Sequence, residues 1–396
     1  MATKRKYCES NHQELDFILN NIDVSRYGIF RMGFYILNNR KLISISCVLL
    51  FMSYCLHFRL IDPNSSTGQI DKSDGRHFMN SNWKTPTSLP QKQNYNDCKE
   101  TFNKTLEDNL NVIENYPICN ATKYFHRLGI YKLVPNQLQK FPVFVTAFDT
   151  SHYNESQGLF KCLHENFLNN PKYKEDVLIV VYDIGLTEIQ RKTVQRNCKC
   201  EMRTFPFEHF PIHVRKLKTY AFKPIIMQEM LMEFGFVWWL DTSIRFMTTD
   251  IDSQIEHAKI FSFFYVVSRN IYAKTGLTRN TMNATFDFLR ENRCKFKPFH
   301  ELLSGIVLLH FDRISRAIAQ AWVTCALNEL CISPPGSDNK RSCDERQNYD
   351  GRCHRFDQSA LSIIQRRLFH DNDYPITKNL TVDIYVKRKE NIKYFI

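Results

Sequence analysis

The chain has 396 residues, 43% hydrophobic, 13% aromatic and 24% charged, with only 12 glycines. These proportions exclude a wholly disordered or collagen-like protein, and so little glycine argues against Gly-rich linkers and most repeat arrays. The net charge of +12 suits an anionic membrane or nucleotide diphosphates, or is simply a diffusely basic surface; without zinc-finger spacing, an RNP motif or a long basic block, no nucleic-acid partner is expected.

Residues 1–41 hold seven Lys/Arg against four acids and read as a cytosolic tail. Leu42 to Phe58 (LISISCVLLFMSYCLHF) carries no Asp, Glu, Lys or Arg. It is at the short limit for a spanning helix, and a buried core helix is the other reading. With the anchor taken as 42–60, the positive-inside rule puts the rest of the chain in the lumen. A thin early-secretory membrane suits so short a span. Residues 61–97 are polar and without period, as in an exposed stem. Asn-x-Ser/Thr triplets begin at Asn64, Asn103, Asn120, Asn154, Asn283 and Asn379, all beyond the apolar stretch, and are candidate glycosylation sites. Ten cysteines also follow it (Cys98, Cys119, Cys162, Cys198, Cys200, Cys294, Cys325, Cys331, Cys343, Cys353), enough for five disulfides in an oxidising lumen. Their spacing sets no pairing, although Cys325 and Cys331 flank a predicted helix end. Residues 98–140 read as a disulfide-linked preface and 141–396 as the folded luminal body.

Within the body, apolar strands alternate with helices. Val143–Phe148, Val177–Tyr182, Met202–Phe207 and Phe236–Leu240 are the predicted strands. Glu155–Leu168, a helix capped by Thr187, and Phe222–Glu233 with Pro224 in its first turn are the predicted helices. This pattern predicts an α/β fold with a mostly parallel central sheet and flanking helices. Asp149, Asp183 and Asp241 each follow a predicted strand, where such sheets bind ligands. No G-x-G-x-x-G, G-x-S-x-G, P-loop or H-E-x-x-H motif is present. A membrane-anchored methyltransferase therefore lacks its glycine-rich first loop, and hydrolase and zincin readings fall too.

Tyr220-Ala-Phe-Lys-Pro224, a helix, and then Trp238-Trp-Leu-Asp-Thr-Ser-Ile-Arg245 carry the most information. Here the chain resembles Golgi type II glycosyltransferases of the A-type, Rossmann-like fold, and is close to uncharacterised invertebrate domain families. Ser304-Gly-Ile-Val-Leu-Leu309 is similar to that family's sugar-lining strand, and His354-Arg-Phe-Asp-Gln-Ser-Ala-Leu361 to its Asp-Gln helix start. The resemblance implies a nucleotide-sugar donor, a glycan, glycoprotein or glycolipid acceptor, a single-pass anchor, and residence in the Golgi or endoplasmic reticulum. A silent relative that binds glycan or nucleotide is the alternative. It also implies donor-binding roles for Thr146, Asp149, Lys223, Asp241, Ser243, Arg245 and Gly305. Asp357 and Gln358 are the catalytic candidates, with helix capping as the structural alternative for Asp357.

One position departs from the family. Asp241-Thr242-Ser243 stands where Asp-x-Asp would hold manganese or magnesium. A serine hydroxyl is a poor ligand for a hard cation. Asp241, with His370 as a late partner, is the candidate metal ligand, and weak metal dependence is expected. On an extended strand Asp241, Ser243 and Arg245 would share a face, so that Arg245 meets the diphosphate. Asp250-Ile-Asp252 reads as a helix cap, Asp371-Asn-Asp373 as a turn, and Trp238 and Trp239 as core.

Overall fold

The computed structural model describes residues 98, 100–103, 105–117, 121–265, 276–344, 346–370 and 384–395. The expected tail, apolar stretch and stem lie outside the described residues, as do Asn64, Asn120, Asn379, Cys119 and the Asp371–Asp373 triplet. Among the described residues no helix is long and apolar enough to cross a membrane.

Eight strands follow in chain order: β1 (Val143–Phe148), β2 (Ile179–Asp183), β3 (Glu201–Thr204), β4 (Phe236–Leu240), β5 (Ile244–Phe246), β6 (Phe263–Tyr265), β7 (Ile306–His310) and β8 (Ile384–Val386). Six of them form one sheet in the order β3-β2-β1-β4-β7-β6. β1 to β4 are mutually parallel, and β7 runs against both β4 and β6. The expected mostly parallel α/β sheet is therefore present. β1, β2 and β4 are buried along nearly their whole length and predominantly apolar, as suits a sheet covered on both faces. β3 is shorter than the predicted 202–207 and carries Glu201 and Arg203, as suits an exposed edge. β5 and β8 form a separate antiparallel pair.

The main helices are α1 (Leu106–Glu114), α2 (Tyr153–Leu163), α3 (Glu188–Asn197), α4 (Phe222–Phe234), α5 (Asp252–Phe261), α6 (Asn283–Phe288), α7 (Arg313–Ala326) and α8 (Asp357–Leu368). Thr187 caps α3, and its Oγ1 and the Gln190 side chain complete a reciprocal capping box. α2 stops at Leu163, and His164–Leu168 continue as a wider π turn rather than as α-helix. α5 begins behind Ile251, with no side-chain cap; Asp250 instead accepts the Asp252 N–H and, with Asp252, pairs with Lys172. α4 is buried nearly all round, between sheet and α7, and ends at Gly235 in the left-handed conformation (φ 69°).

The preface is built into the body. α1 packs on α7 and α8. The Tyr116 hydroxyl donates to Glu291, and buried Arg367 pairs with the same carboxylate. Disulfides join Cys98–Cys294, Cys198–Cys200, Cys325–Cys331 and Cys343–Cys353. Cys162 is a buried free thiol, so it does not join the five expected pairs. It is packed on β5, where its sulfur accepts the Phe246 N–H.

Candidate active site

The four parallel strands end along one edge, which brings Thr204, Asp183, Asp149 and Asp241 to the same side of the sheet. β7 runs the other way, so its beginning lies beside the end of β4. There the Asp241 N–H donates to the Gly305 carbonyl at 2.9 Å. Asp183 shapes the β2–α3 turn: one oxygen accepts from the Gly185 and Leu186 N–H groups and the other from Arg191. Partial burial opposes ionisation of Asp149, but Ser151 and His152 beside it hold its carboxyl below the usual value. A cleft of about 430 Å³ opens at the ends of β2 and β3, lined by Asp183, Gly185, Thr204, Phe205, Phe207 and Arg215 among others.

Lys223 organises the β4 end of this edge. It sits in the first turn of buried α4 and is 2% exposed. Its ammonium lies 3.1 Å from Asp241 Oδ1 and 3.1 Å from Asp357 Oδ2, and it donates to the Ser304 carbonyl at 3.2 Å. Burial alone would lower the Lys223 pKa, but the two carboxylates hold it above the ordinary lysine value. Burial pushes Asp357 up, against the opposing pull of Lys223. We assign the charged form to Lys223, because two carboxylates face one ammonium. Asp241 Oδ1 also accepts from Trp239 Nε1 at 2.7 Å. The Asp357 carbonyl accepts from Trp322 Nε1 at 2.9 Å. Gly305 permits the close approach: a Cβ there would lie 2.8 Å from Asp241 Oδ2. Tyr220 (φ 54°) holds left-handed backbone just before the helix that presents Lys223, and Phe356, just before Asp357, also has a positive φ (49°).

The structure thus brings together Lys223, Asp241, Gly305, Asp357 and Gln358, with Asp149 farther along the same edge. The other predicted site residues are placed differently. The Ile244 N–H donates to the Asp241 carbonyl, so Asp241–Ile244 is a turn and the predicted shared face of Asp241, Ser243 and Arg245 is absent. The alternation ends because β5 leaves the central sheet to pair with β8. Arg245 is buried and engaged by Glu390 and by the carbonyls of Thr242, Ile244 and Glu155. Ser243 is buried, and its carbonyl accepts from the Lys387 N–H. Thr146 lies inside β1, on the face of Phe144 and Phe148, rather than at the strand end. Asp357 is the first residue of α8, with Phe356 in the cap position. His370 stacks on Phe102 beyond the other end of α8, about 20 Å along the helix from Asp357. It is therefore not brought to Asp241.

This edge does not fit a divalent cation. Asp241 Oδ1 already meets Trp239 and the Lys223 ammonium, whose charge opposes a second cation. Among the described residues no three His, Cys, Asp or Glu side chains converge on a metal-sized site.

Three contributors escaped the sequence reading. Trp239 holds Asp241, and its signal was available, since residues two apart on a strand share a face. Glu301 is a carboxylate buried in the apolar lead-in to β7. Arg388 is exposed behind β8. The Tyr220 hydroxyl is raised mainly by burial, and the Lys223 and Arg388 charges oppose that rise, which places Arg388 within electrostatic reach of this corner.

A family model described as "Protein of unknown function (DUF1647)" matches residues 90–228. Comparison with curated proteins yields no match. Among solved structures, the chain shows weak similarity to several glycosyltransferases. Mouse xyloside xylosyltransferase 1, apo form, is 13% identical, with 64% of this chain and 99% of that one covered and a TM-score of 0.36. The galactosyltransferase LgtC, in complex with donor and acceptor sugar analogues, is 12% identical over 57% and 69%, at a TM-score of 0.33. The bifunctional glycosyltransferase WbbM is 10% identical at a TM-score of 0.31, covering 46% of this chain; the chain spans about a third (34%) of its length. Likeness of this extent assigns neither donor nor acceptor.

Proposed function

We propose that the chain is a single-pass type II membrane protein that transfers a sugar from a nucleotide-sugar donor to a glycan, protein or lipid acceptor in the lumen of the Golgi or endoplasmic reticulum. One observation carries this reading: the buried Lys223 ammonium ties Asp241 and Asp357 together at the carboxyl edge of a parallel sheet, the edge on which a cleft opens two strands away at β2 and β3. Disulfides among the described residues suit an oxidising compartment. Asn103, Asn154 and Asn283 are exposed, as glycan acceptors must be.

In this reading the nucleoside occupies the cleft at β2 and β3, and the sugar lies over Gly305, facing Asp241 and Asp357. Sugar transfer builds positive charge at the sugar carbon and negative charge on the departing diphosphate. The carboxylates answer the first. Lys223 is turned toward them, so its task is to hold them in place. Arg388 is the cation offered to the diphosphate. Asp357 and Gln358 meet the sugar, and no step passes through a metal.

The test uses the full chain, expressed in a eukaryotic secretory host and screened for thermal stabilisation and donor turnover with UDP- and GDP-linked sugars. A ligand that binds the native state raises its stability. Stabilisation by one nucleotide sugar, with turnover that persists in excess chelator, is the expected result. Binding without turnover would favour the silent relative, and complete loss in chelator with rescue by manganese would overturn the metal-free site. Loss of mass on N-glycan removal checks the luminal orientation.

A further inference from the structure

The chain turns from α3 into β3 through Cys198-Lys199-Cys200, and a disulfide joins the two ends of that turn. Lys199 between them is exposed and holds left-handed backbone (φ 47°), a conformation that costs any residue with a Cβ and persists only where its surroundings impose it. Cys198 is buried; its N–H donates to the Val194 carbonyl and its carbonyl accepts from His164 Nε2 at 2.7 Å, so the fold holds that end apart from the crosslink. Cys200 is only partly buried and is the end nearer solvent. A disulfide stabilises less the shorter the loop it closes. This one has a sequence separation of 2, against 196, 6 and 10 for the others. It is therefore the crosslink whose loss the fold feels least, and its opening frees a strained residue. Arg196 and Lys199 are exposed beside it, and cations favour thiolates and draw an anionic thiol.

The two elements that this turn joins also hold one wall of the cleft. Arg191 of α3 donates to Asp183 Oδ2 at 2.6 Å and to Thr204 Oγ1 at 2.8 Å. Thr204 ends β3 in register with Asp183, and the Phe205 N–H donates to the Asp183 carbonyl at 3.0 Å. Asp183, Thr204 and Phe205 all line the cleft. β3 is the edge strand of the sheet, bonded only to β2, and a short edge strand is the first part of a sheet to open.

We propose that Cys198–Cys200 is a thiol-sensitive switch: a small anionic thiol reduces it in the folded protein, and its opening loosens β3 and the Asp183–Thr204 wall of the cleft. The external thiolate attacks Cys200 Sγ and the bond to Cys198 breaks, leaving a Cys198 thiolate that takes up a proton. A second thiol then attacks the external sulfur of the mixed disulfide, frees Cys200 as a thiol and departs as the oxidised small-molecule disulfide. Two external thiols are oxidised and two cysteines reduced. The switch is independent of what the cleft binds, so it stands or falls apart from the sugar-transfer reading.

The experiment equilibrates the full oxidised chain in glutathione buffers of rising reducing strength, alkylates the new thiols and locates them by peptide mass spectrometry. Cys198 and Cys200 are expected to be alkylated together, at a ratio of reduced glutathione squared to oxidised glutathione about tenfold or more below that of the other disulfides. Hydrogen exchange on the same samples reads the cleft wall. In the reduced protein the Phe205 amide and those of β3 exchange about tenfold faster, while β1 and β4 are unchanged. Cys198→Ser with Cys200→Ser shows the fast exchange without thiol and no response to glutathione. Lys199→Gly, which relieves the strain while keeping both cysteines, moves the reduction midpoint toward more reducing buffer, so the result does not hang on the folding of one variant. Reduction of this pair together with or after the others overturns the inference. So does early reduction with β3 exchange unchanged, which would leave the disulfide a simple staple.

Discussion

At the scale of single residues, the site is a balance of three charges, with Lys223 and Asp357 buried and Asp241 open to solvent. Lys223→Met would leave buried Asp357 facing Asp241 without a cation. Breaking a buried pair from one side costs roughly 3–5 kcal/mol, so a large fall in Tm is expected, with only partial loss for Lys223→Arg. Asp357→Asn tests chemistry more cleanly. Burial already disfavours its charge, so the amide should fold, while donor turnover falls about 100-fold or more, read as kcat at saturating donor. Gly305→Ala would press a methyl against Asp241 Oδ2. That carboxylate is pinned by Trp239 and Lys223, so turnover should fall about tenfold, with a stability change small beside that of Lys223→Met. Lys223, Asp241, Gly305 and the Asp357-Gln358 pair were legible in the sequence because each lies in a short run whose type and order carry chemistry. Glu301 was not, since nothing local marks a carboxylate whose partners lie in other segments.

At the scale of elements, the small β5–β8 pair decides what Arg245 does. Gly158 on α2 exists for this contact: a Cβ there would collide with Arg245 and with Glu390. Alanine favours helix by about 1 kcal/mol over glycine, yet overpacking costs about 1–3 kcal/mol. Gly158→Ala should therefore destabilise, seen as a lower midpoint in urea, and a higher midpoint would show that Arg245 is free to move. The arginine looked available in sequence because alternation was carried through a turn. Strand β4 ends at Leu240 since its neighbour β7 begins at Ile306, and the chain then turns toward β8, some 140 residues away. The helix starts behave differently: Thr187 and its capping box were readable, because a cap is a local bond between residues three apart.

At the scale of the whole molecule, crosslinks and buried histidine set the stability. Cys98–Cys294 closes a span of 196 residues and fastens the preface to the body. Replacing both cysteines with serine should lower stability by roughly 2–4 kcal/mol, measured by denaturant unfolding of the oxidised chain. His354 is fully buried; its Nδ1 accepts the Met282 N–H and its Nε2–H donates to the Ile332 carbonyl. Burial pushes its pKa down to about 4 from the ordinary 6.5. The unfolded chain therefore binds a proton below about 6.5 that the native chain refuses until about 4. Stability from this group is complete above that window and falls as pH drops through it, by about 2 kcal/mol at pH 5. A shallower slope in His354→Gln, which stays neutral, is the expected check.

The sequence by itself determined the alternating strands and helices, the direction of the sheet and the residues of the acidic corner. Those depend on local periodicity and on what each strand end must expose. Only the tertiary structure decided that Arg245 is engaged elsewhere, that Cys162 stays reduced and which partners buried Glu301 takes. Each of those outcomes is set by the packing of segments far apart in the chain, where burial and partner choice, rather than residue type, fix what a side chain does.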